Sequence, residues 1–293
     1  MSLREKDNPY QSRQKNSRLS VKARRVLAFS IIAALIVAFI VSLIISNFSI
    51  KITKNELSSD KINSSVRLAI ISDLHGRELG KNNKKLLSKI EDQNPDLILM
   101  VGDIISSSQS AKEQTDYLKH LISNLTEIAP VYFSLGNHDK YLPQIESIVN
   151  SAGAVFLDES HTEIQVNGNI LRIGGISHYR TWDENACSFL EDFSKDSEDV
   201  FTLLLCHFPE FYLWGIKDYP IDLTISGHTH GGMVRLPLLG PLYAPEQGWF
   251  PDYAAGIYSM ENGYLAITTG LASSPEYLPR VFNRPEIMII DLE

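Results

Sequence analysis

VRLAIISDLHG, residues 66–76, is a nearly unbroken apolar run that turns abruptly to Asp73, His75 and Gly76. An apolar run of that length suits a β-strand covered on both faces, and its polar residues then fall where the strand leaves its sheet. Four later runs repeat the design: 97–102 ends at Asp103, 131–136 at Asn137-His138-Asp139, 201–206 at His207, and 221–227 at His228-Thr229-His230. Between them, segments 83–93, 112–128 and 142–150 carry apolar residues at helical spacing. Alternating strands and helices predict an α/β fold, whose functional crevice lies beyond the carboxyl ends of the strands. Five segments far apart in sequence therefore deliver polar side chains to one place.

Asp, Asn and Gly are ordinary residues after a strand, but His is not. Five of the eight histidines (His75, His138, His207, His228 and His230) occupy these strand ends. His120, His161 and His178 have no such setting and read as structural or surface residues. Asp73, His75, Asp103, Asn137, His207, His228 and His230 make an oxygen and imidazole set without thiolate, suited to Mn, Fe or Zn, with manganese favoured. Seven groups are too many for one ion. They suit two ions about 3.5–4 Å apart, bridged by a shared carboxylate and a water or hydroxide. Such a pair makes hydroxide available near neutral pH and neutralises charge on a phosphoryl group attacked in line, which is the chemistry of a phosphoester hydrolase.

Asp-x-His, Gly-Asp, Gly-Asn-His-Asp, a later His and Gly-His-x-His, in this order, resemble the calcineurin-like metallophosphoesterase superfamily over roughly residues 66–291. The resemblance implies a two-sheet α/β sandwich flanked by helices, with a dinuclear site at the sheet ends. It further implies that Asp73, His75 and His230 hold one ion, that Asn137, His207 and His228 hold the other, and that Asp103 bridges them. His138 then stays free of metal and faces the substrate as a catalytic residue, stabilising the transition state or protonating the leaving oxygen. Asp139 is expected to orient the His138 ring and raise its pKa, or else to cap the turn before Tyr141. Segments 231–245, 269–273 and 283–286 resemble a branch of membrane-associated bacterial phosphodiesterases similar to UDP-2,3-diacylglucosamine pyrophosphatases. His178 stands where many relatives would carry Asp, so the resemblance speaks for the chemistry rather than for a particular substrate.

Residues 26–45 run twenty positions without a charge, enough to cross a hydrocarbon core of about 30 Å as a helix. Ahead of them, residues 1–25 hold eight basic residues against Glu5 and Asp7. That bias predicts a cytoplasmic tail at 1–25, a transmembrane helix at 26–45, a tether at 46–65 and an extracytoplasmic catalytic domain at 66–293. A cleaved signal peptide fits less well, because the run is long and no small-x-small site follows it. The whole chain of 293 residues has net charge -8, and past residue 25 no basic stripe appears, which argues against nucleic acid as partner. Cys187 and Cys206 either pair or, as the apolar run before Cys206 suggests, leave a buried free thiol.

Residues 231–262 form a long Gly-, Pro- and aromatic-rich connection beside the last motif, where loops are commonly functional. Leu236, Leu238, Leu239, Trp249 and Phe250 there either make an apolar rim for lipid or pack under their own loop. Arg77, Arg280 and Arg284 are candidate second phosphate ligands, with structural roles as the alternative. The expected function is a membrane-anchored dimetal phosphodiesterase or pyrophosphatase acting, through a metal-bridging hydroxide, on a phosphate-containing small-molecule or lipid-linked substrate. The alternatives are a broad nucleotide phosphomonoesterase and a non-catalytic scaffold, the latter requiring eroded ligands.

Overall fold

The computed structural model describes residues 20–177, 184–273 and 278–293. Most of the basic segment, including Arg13, Lys15 and Arg18, lies outside the described residues, as does His178. The chain divides into two compact units, residues 1–41 and 42–293. In the first, the described residues are almost wholly helical and belong to α1 (Val21–Phe48), which starts earlier and ends later than the uncharged run alone predicts. Its 28 residues and mean hydropathy of 3.0 over its most apolar stretch make it long and apolar enough to cross a membrane.

The second unit opens with β1 (Lys51–Leu57), β2 (Val66–Ile71), α2 (Lys84–Glu91), β3 (Leu97–Val101), α3 (Ala111–Thr126), β4 (Val131–Ser134), α4 (Ile145–Ser151) and β5 (Val155–Leu157). It continues through β6 (Ser160–Val166), β7 (Asn169–Ile176), α5 (Glu184–Phe193), β8 (Phe201–Cys206), α6 (Pro209–Trp214) and β9 (Leu223–Ser226). It closes with β10 (Gly256–Met260), β11 (Gly263–Ile267) and β12 (Glu286–Leu292). Among the described residues these strands make two six-stranded sheets, ordered β1-β12-β2-β3-β4-β5 and β10-β11-β9-β8-β7-β6. The centre of each is parallel: β2, β3 and β4 in the first sheet, and β7, β8, β9 and β11 in the second.

The period of two along each strand explains the layers. Leu68 and Ile70 of β2 face a core shared with Leu203 and Leu205 of β8 and Leu223 and Ile225 of β9. Ala69 and Ile71 face the opposite way, onto Leu86 and Ile90 of α2 and Leu118, Leu121 and Ile122 of α3. On the far side, Leu204 and Cys206 of β8 pack with Phe189 and Phe193 of α5 and Phe211 of α6. Every central strand is thus buried on both faces, which is why its sequence does not alternate. α3 starts from a reciprocal capping box between Ser110 and Glu113. Cys187 and Cys206 are both free, and Cys206 is buried, so the buried-thiol reading holds.

The stretch expected as a tether departs from expectation. Lys51–Leu57 is an edge strand, paired in parallel with β12 from Lys51↔Glu286 to Leu57↔Leu292. All its residues except Leu57 are exposed or half-buried, as suits a polar edge strand, and that pattern hid it among the lysines and asparagines of the segment. The sheet-bearing unit therefore begins ahead of residue 66.

Candidate metal centre

His207 follows directly on the carboxyl end of β8, while Asp73, Asp103 and His228 lie one residue further past the ends of β2, β3 and β9, and Asn137 follows in the loop after β4. Because these strands are parallel neighbours within their sheets, their ends share one rim. The backbone there is unusual. Asp73, His75, Asp103, His228 and His230 all take positive φ, between 46° and 64°, a conformation costing about 1–3 kcal/mol for most non-glycine residues. Turning the chain that sharply points successive side chains into the same crevice. Backbone bonds hold the turns together: the amides of Asp73 and His75 donate to the carbonyls of Gly102 and Asp103.

Glycines make the approach possible. At Gly102, with φ at 76°, a Cβ would stand 2.5 Å from the Gly136 nitrogen and 2.7 Å from His207 Nδ1. At Gly227 a Cβ would stand 2.6 Å from Asp73 Oδ2. The Gly of each strand-end motif is there to let two loops touch.

Within this crevice the ligand atoms of Asp73, His75 and His230 lie within 4.8 Å of one another, and so do those of Asp103, His207 and His228. A third group, His75, Asp103 and His138, links the other two. Asp73 Oδ1 stands 3.3 Å from His230 Nε2, and Asp103 Oδ2 stands 3.3 Å from His207 Nε2. Each carboxylate has one oxygen held and one left over. Asp73 Oδ2 accepts from Ser72 Oγ at 2.8 Å, and Asp103 Oδ1 accepts from the His138 amide at 2.8 Å. The imidazoles are likewise aimed: His207 Nδ1 donates to the Val101 carbonyl at 2.8 Å and His230 Nδ1 to the Ala272 carbonyl at 3.1 Å. A carbonyl only accepts, so these bonds place a proton on Nδ1 and turn Nε2 to the crevice.

Four atoms test whether a cation belongs here. Asp73 Oδ1, Asn137 Oδ1, His207 Nε2 and His228 Nε2 are buried and have no hydrogen-bond partner. Native interiors rarely leave such atoms unmatched, and four in one crevice, all on oxygen or imidazole nitrogen, fit divalent metal. The electrostatics agree. Burial, with His230 close by, lowers the His75 imidazole to about 4, and burial together with Arg280 lowers His230 to about 3. Burial pushes Asp73 up. Burial acts in the same sense on Asp103, but the His207 ring outweighs it and holds Asp103 below the carboxylate range; burial opposes the charge on His207 too, yet Asp103 and Asp73 raise it to about 10. Mostly neutral imidazoles around two carboxylates are ready ligands, with few protons to displace.

His138 sits at the mouth, its side chain 29% exposed, with Nε2 3.9 Å from Asp103 Oδ2. Its Nδ1 meets Ser107 Oγ at 3.1 Å. The expectation that Asp139 orients this ring is corrected. Asp139 is fully buried and spends both oxygens on four backbone amides, those of Asp103, Ile104, Ile105 and Gly136. Burial and the neighbouring Asp103 push its carboxyl up to about 7 against the pull of those amides. Asp139–Tyr141 is a short 3-10 turn, but its carboxylate serves the preceding loops.

The three arginines sort themselves. Arg280 is fully buried and donates to the carbonyls of Thr269 and Ala272, the latter also the partner of His230. Arg284 donates to Ser49 and the Ile50 carbonyl, and Arg77 donates to the Asn47 carbonyl at 2.6 Å. Arg280 shares the Ala272 carbonyl with the crevice-facing imidazole of His230, a role no local sequence signal announces. In the segment after β9, Leu238, Leu239, Trp249 and Phe250 are exposed and Leu236 is half-buried, so the first four do not pack beneath their own loop.

Comparison with known proteins bears on this arrangement. The family profile described as calcineurin-like phosphoesterase matches residues 66–232. Phosphodiesterase YaeI of Escherichia coli is 30% identical over 206 residues, covering 69% of this chain and 72% of that protein. The metallophosphoesterase YkuE of Bacillus subtilis is 28% identical over 214 residues, 72% of each chain. A Danio rerio protein named as a transmembrane protein with metallophosphoesterase domain is 26% identical over 267 residues, 83% of this chain and 57% of that one.

Proposed function

The chain belongs to the calcineurin-like phosphoesterase family and is a metal-dependent phosphoester hydrolase, and from that premise we propose a membrane-anchored dimetal phosphodiesterase or pyrophosphatase. The observation that carries the reading is the set of buried, unpartnered ligand atoms at Asp73, Asn137, His207 and His228. Asp73, His75 and His230 would hold one ion, Asn137, His207 and His228 the other, with Asp103 shared. Bound divalent ions supply Lewis acidity toward a phosphoryl oxygen and lower the pKa of water.

The chain's own residues do the positioning. The Val101 and Ala272 carbonyls fix the tautomers of His207 and His230, and the His138 amide turns Asp103 so that Oδ2 faces the crevice. His138, at the mouth, delivers a proton to the leaving oxygen while Ser107 steadies its ring. α1 is the anchor, a reading supported by its length and hydropathy and by the name of the Danio rerio relative. The basic residues ahead of it favour a catalytic unit across the bilayer from the cytoplasm. The substrate is a phosphate-containing small molecule or a lipid-linked one, and manganese is the favoured ion.

The test is hydrolysis of bis-p-nitrophenyl phosphate by the full chain in detergent, with and without Mn²⁺. Metal-dependent release of nitrophenolate, faster than from the monoester analogue, is the expected result. A metal-loaded, folded chain that leaves the diester intact, or that prefers the monoester, would overturn it.

A further inference from the structure

A cavity of about 620 Å³ opens beside the metal centre, with His75 and Gly76 in its wall. That volume lies within the roughly 300–1,000 Å³ of small-ligand sites. Another part of the wall is the end of α1, where Leu43, Ile44 and Phe48 line the space. Ile44 and Phe48 are 55% and 70% exposed, so apolar surface stands open next to the reaction centre instead of being packed away.

Among the polar groups of the cavity, two have capacity to spare. Arg77 spends a single guanidinium bond on the Asn47 carbonyl among the described residues, which leaves a fork of donors for an anion. Gln109 Oε1 is buried there without a partner. The helix end is fixed in place. Asn47 Nδ2 donates to the Arg280 carbonyl at 3.0 Å and Asn47 Oδ1 accepts from the Arg280 amide at 3.2 Å. Arg280 in turn grips Ala272, the partner of His230. The apolar wall therefore stands at a set position relative to a metal-facing imidazole.

Resting on the phosphodiesterase reading above, we propose that the substrate is an amphiphilic phosphodiester whose hydrocarbon tail lies in this cavity against Leu43, Ile44 and Phe48, with an adjoining anionic group on Arg77. The chemistry of the walls selects this occupant. Aliphatic and aromatic side chains accept a tail, the Arg77 guanidinium beside Asn47 accepts a phosphate, and the scissile group then reaches His75 and its neighbours. The helix that supplies the tail wall is also the one long enough to sit in a bilayer, so an amphiphile held in the same membrane meets it directly.

The test uses the full chain in detergent micelles with Mn²⁺ and a series of alkyl p-nitrophenyl phosphates bearing methyl, butyl and dodecyl groups. The wild-type KM falls with chain length, by about tenfold or more from methyl to dodecyl, as burial of methylenes predicts. Ile44→Trp, which fills the cavity, and Phe48→Ser, which strips its wall, each erase that gain. Ile170→Ser, at an exposed residue of β7, keeps it. A wild type indifferent to chain length, a gain that survives both α1 substitutions, or a gain lost equally in Ile170→Ser would overturn the tail site while leaving the phosphodiesterase intact. Failure of the metal-loaded protein to cleave even the methyl ester would remove the underlying reading and the tail site with it.

Discussion

The Asp139 carboxylate stands 2.6 Å from the backbone nitrogen of Asp103, and its two oxygens also collect the amides of Ile104, Ile105 and Gly136. One buried side chain thereby clamps the loop after β3 to the loop after β4. Asp103 is presented to the histidines by that clamp, and the His138 amide, in the same turn as Asp139, holds its other oxygen. Asp139 acts on the chemistry through the position of Asp103.

Replacing Asp139 by Ala strands four amides, and each buried donor without an acceptor costs about 1–3 kcal/mol. Urea unfolding of Asp139→Ala should show a loss of at least about 3 kcal/mol, allowing for water entering the gap. Asp139→Asn, which keeps an acceptor, should lose less. A midpoint equal to wild type would contradict the clamp.

Asp103 belongs to two of the three ligand groups in the crevice, so Asp103→Asn should lower occupancy of both metal positions together. Elemental analysis of the purified variant decides this: two full equivalents per chain would remove Asp103 from its shared role.

His138→Ala should leave metal content unchanged, because the proposed ligand assignment gives His138 no ion to hold. Turnover of a diester with a poor, alkoxide-type leaving group should drop by about 10²–10⁴, the usual worth of a general acid. Nitrophenolate, a good leaving group, needs little protonation, so the same variant should lose far less on nitrophenyl esters. Equal losses on both substrates would assign His138 to something other than proton delivery.

The metal-free protein should lose stability in mild acid. His75 and His230 fall from an ordinary 6.5 to about 4 and about 3 in the folded state. Below pH 6.5 the unfolded chain takes up protons that the folded chain refuses, so stability is present above 6.5 and drains away as pH falls toward 4. Each such histidine contributes a slope of about 1.4 kcal/mol per pH unit. His207, raised to about 10, works oppositely: its contribution is complete below 6.5 and is lost as pH climbs through 10. His228 is lowered as well, whereas Asp73 and Asp139, both pushed up, take up protons in the folded state over the same window and offset part of the loss. The melting temperature of chelator-treated protein should therefore fall modestly between pH 6.5 and 4.5, and metal should suppress the fall. A melting temperature that rises on acidification would mean the imidazoles are not buried as the structure places them.

The strand-end residues were legible because their signal is local: an apolar run that stops at Asp, Asn or His marks its own end, and five such stops share one rim by topology. Long-range pairings gave no such mark. β1 reads as polar linker until β12, more than 200 residues later, is laid beside it. Arg280 follows a proline in an unremarkable stretch, and only the folded chain shows its guanidinium on Ala272. Asp139 was legible as a site residue but not in its role, since backbone amides leave no trace in sequence.

The central claim is a crevice built for two cations. Chelator-treated full-length protein titrated with Mn²⁺ should recover hydrolysis of bis-p-nitrophenyl phosphate in step with metal uptake, reaching full rate at two bound ions per chain. Full activity at a single ion, or activity that chelation does not touch, would contradict it.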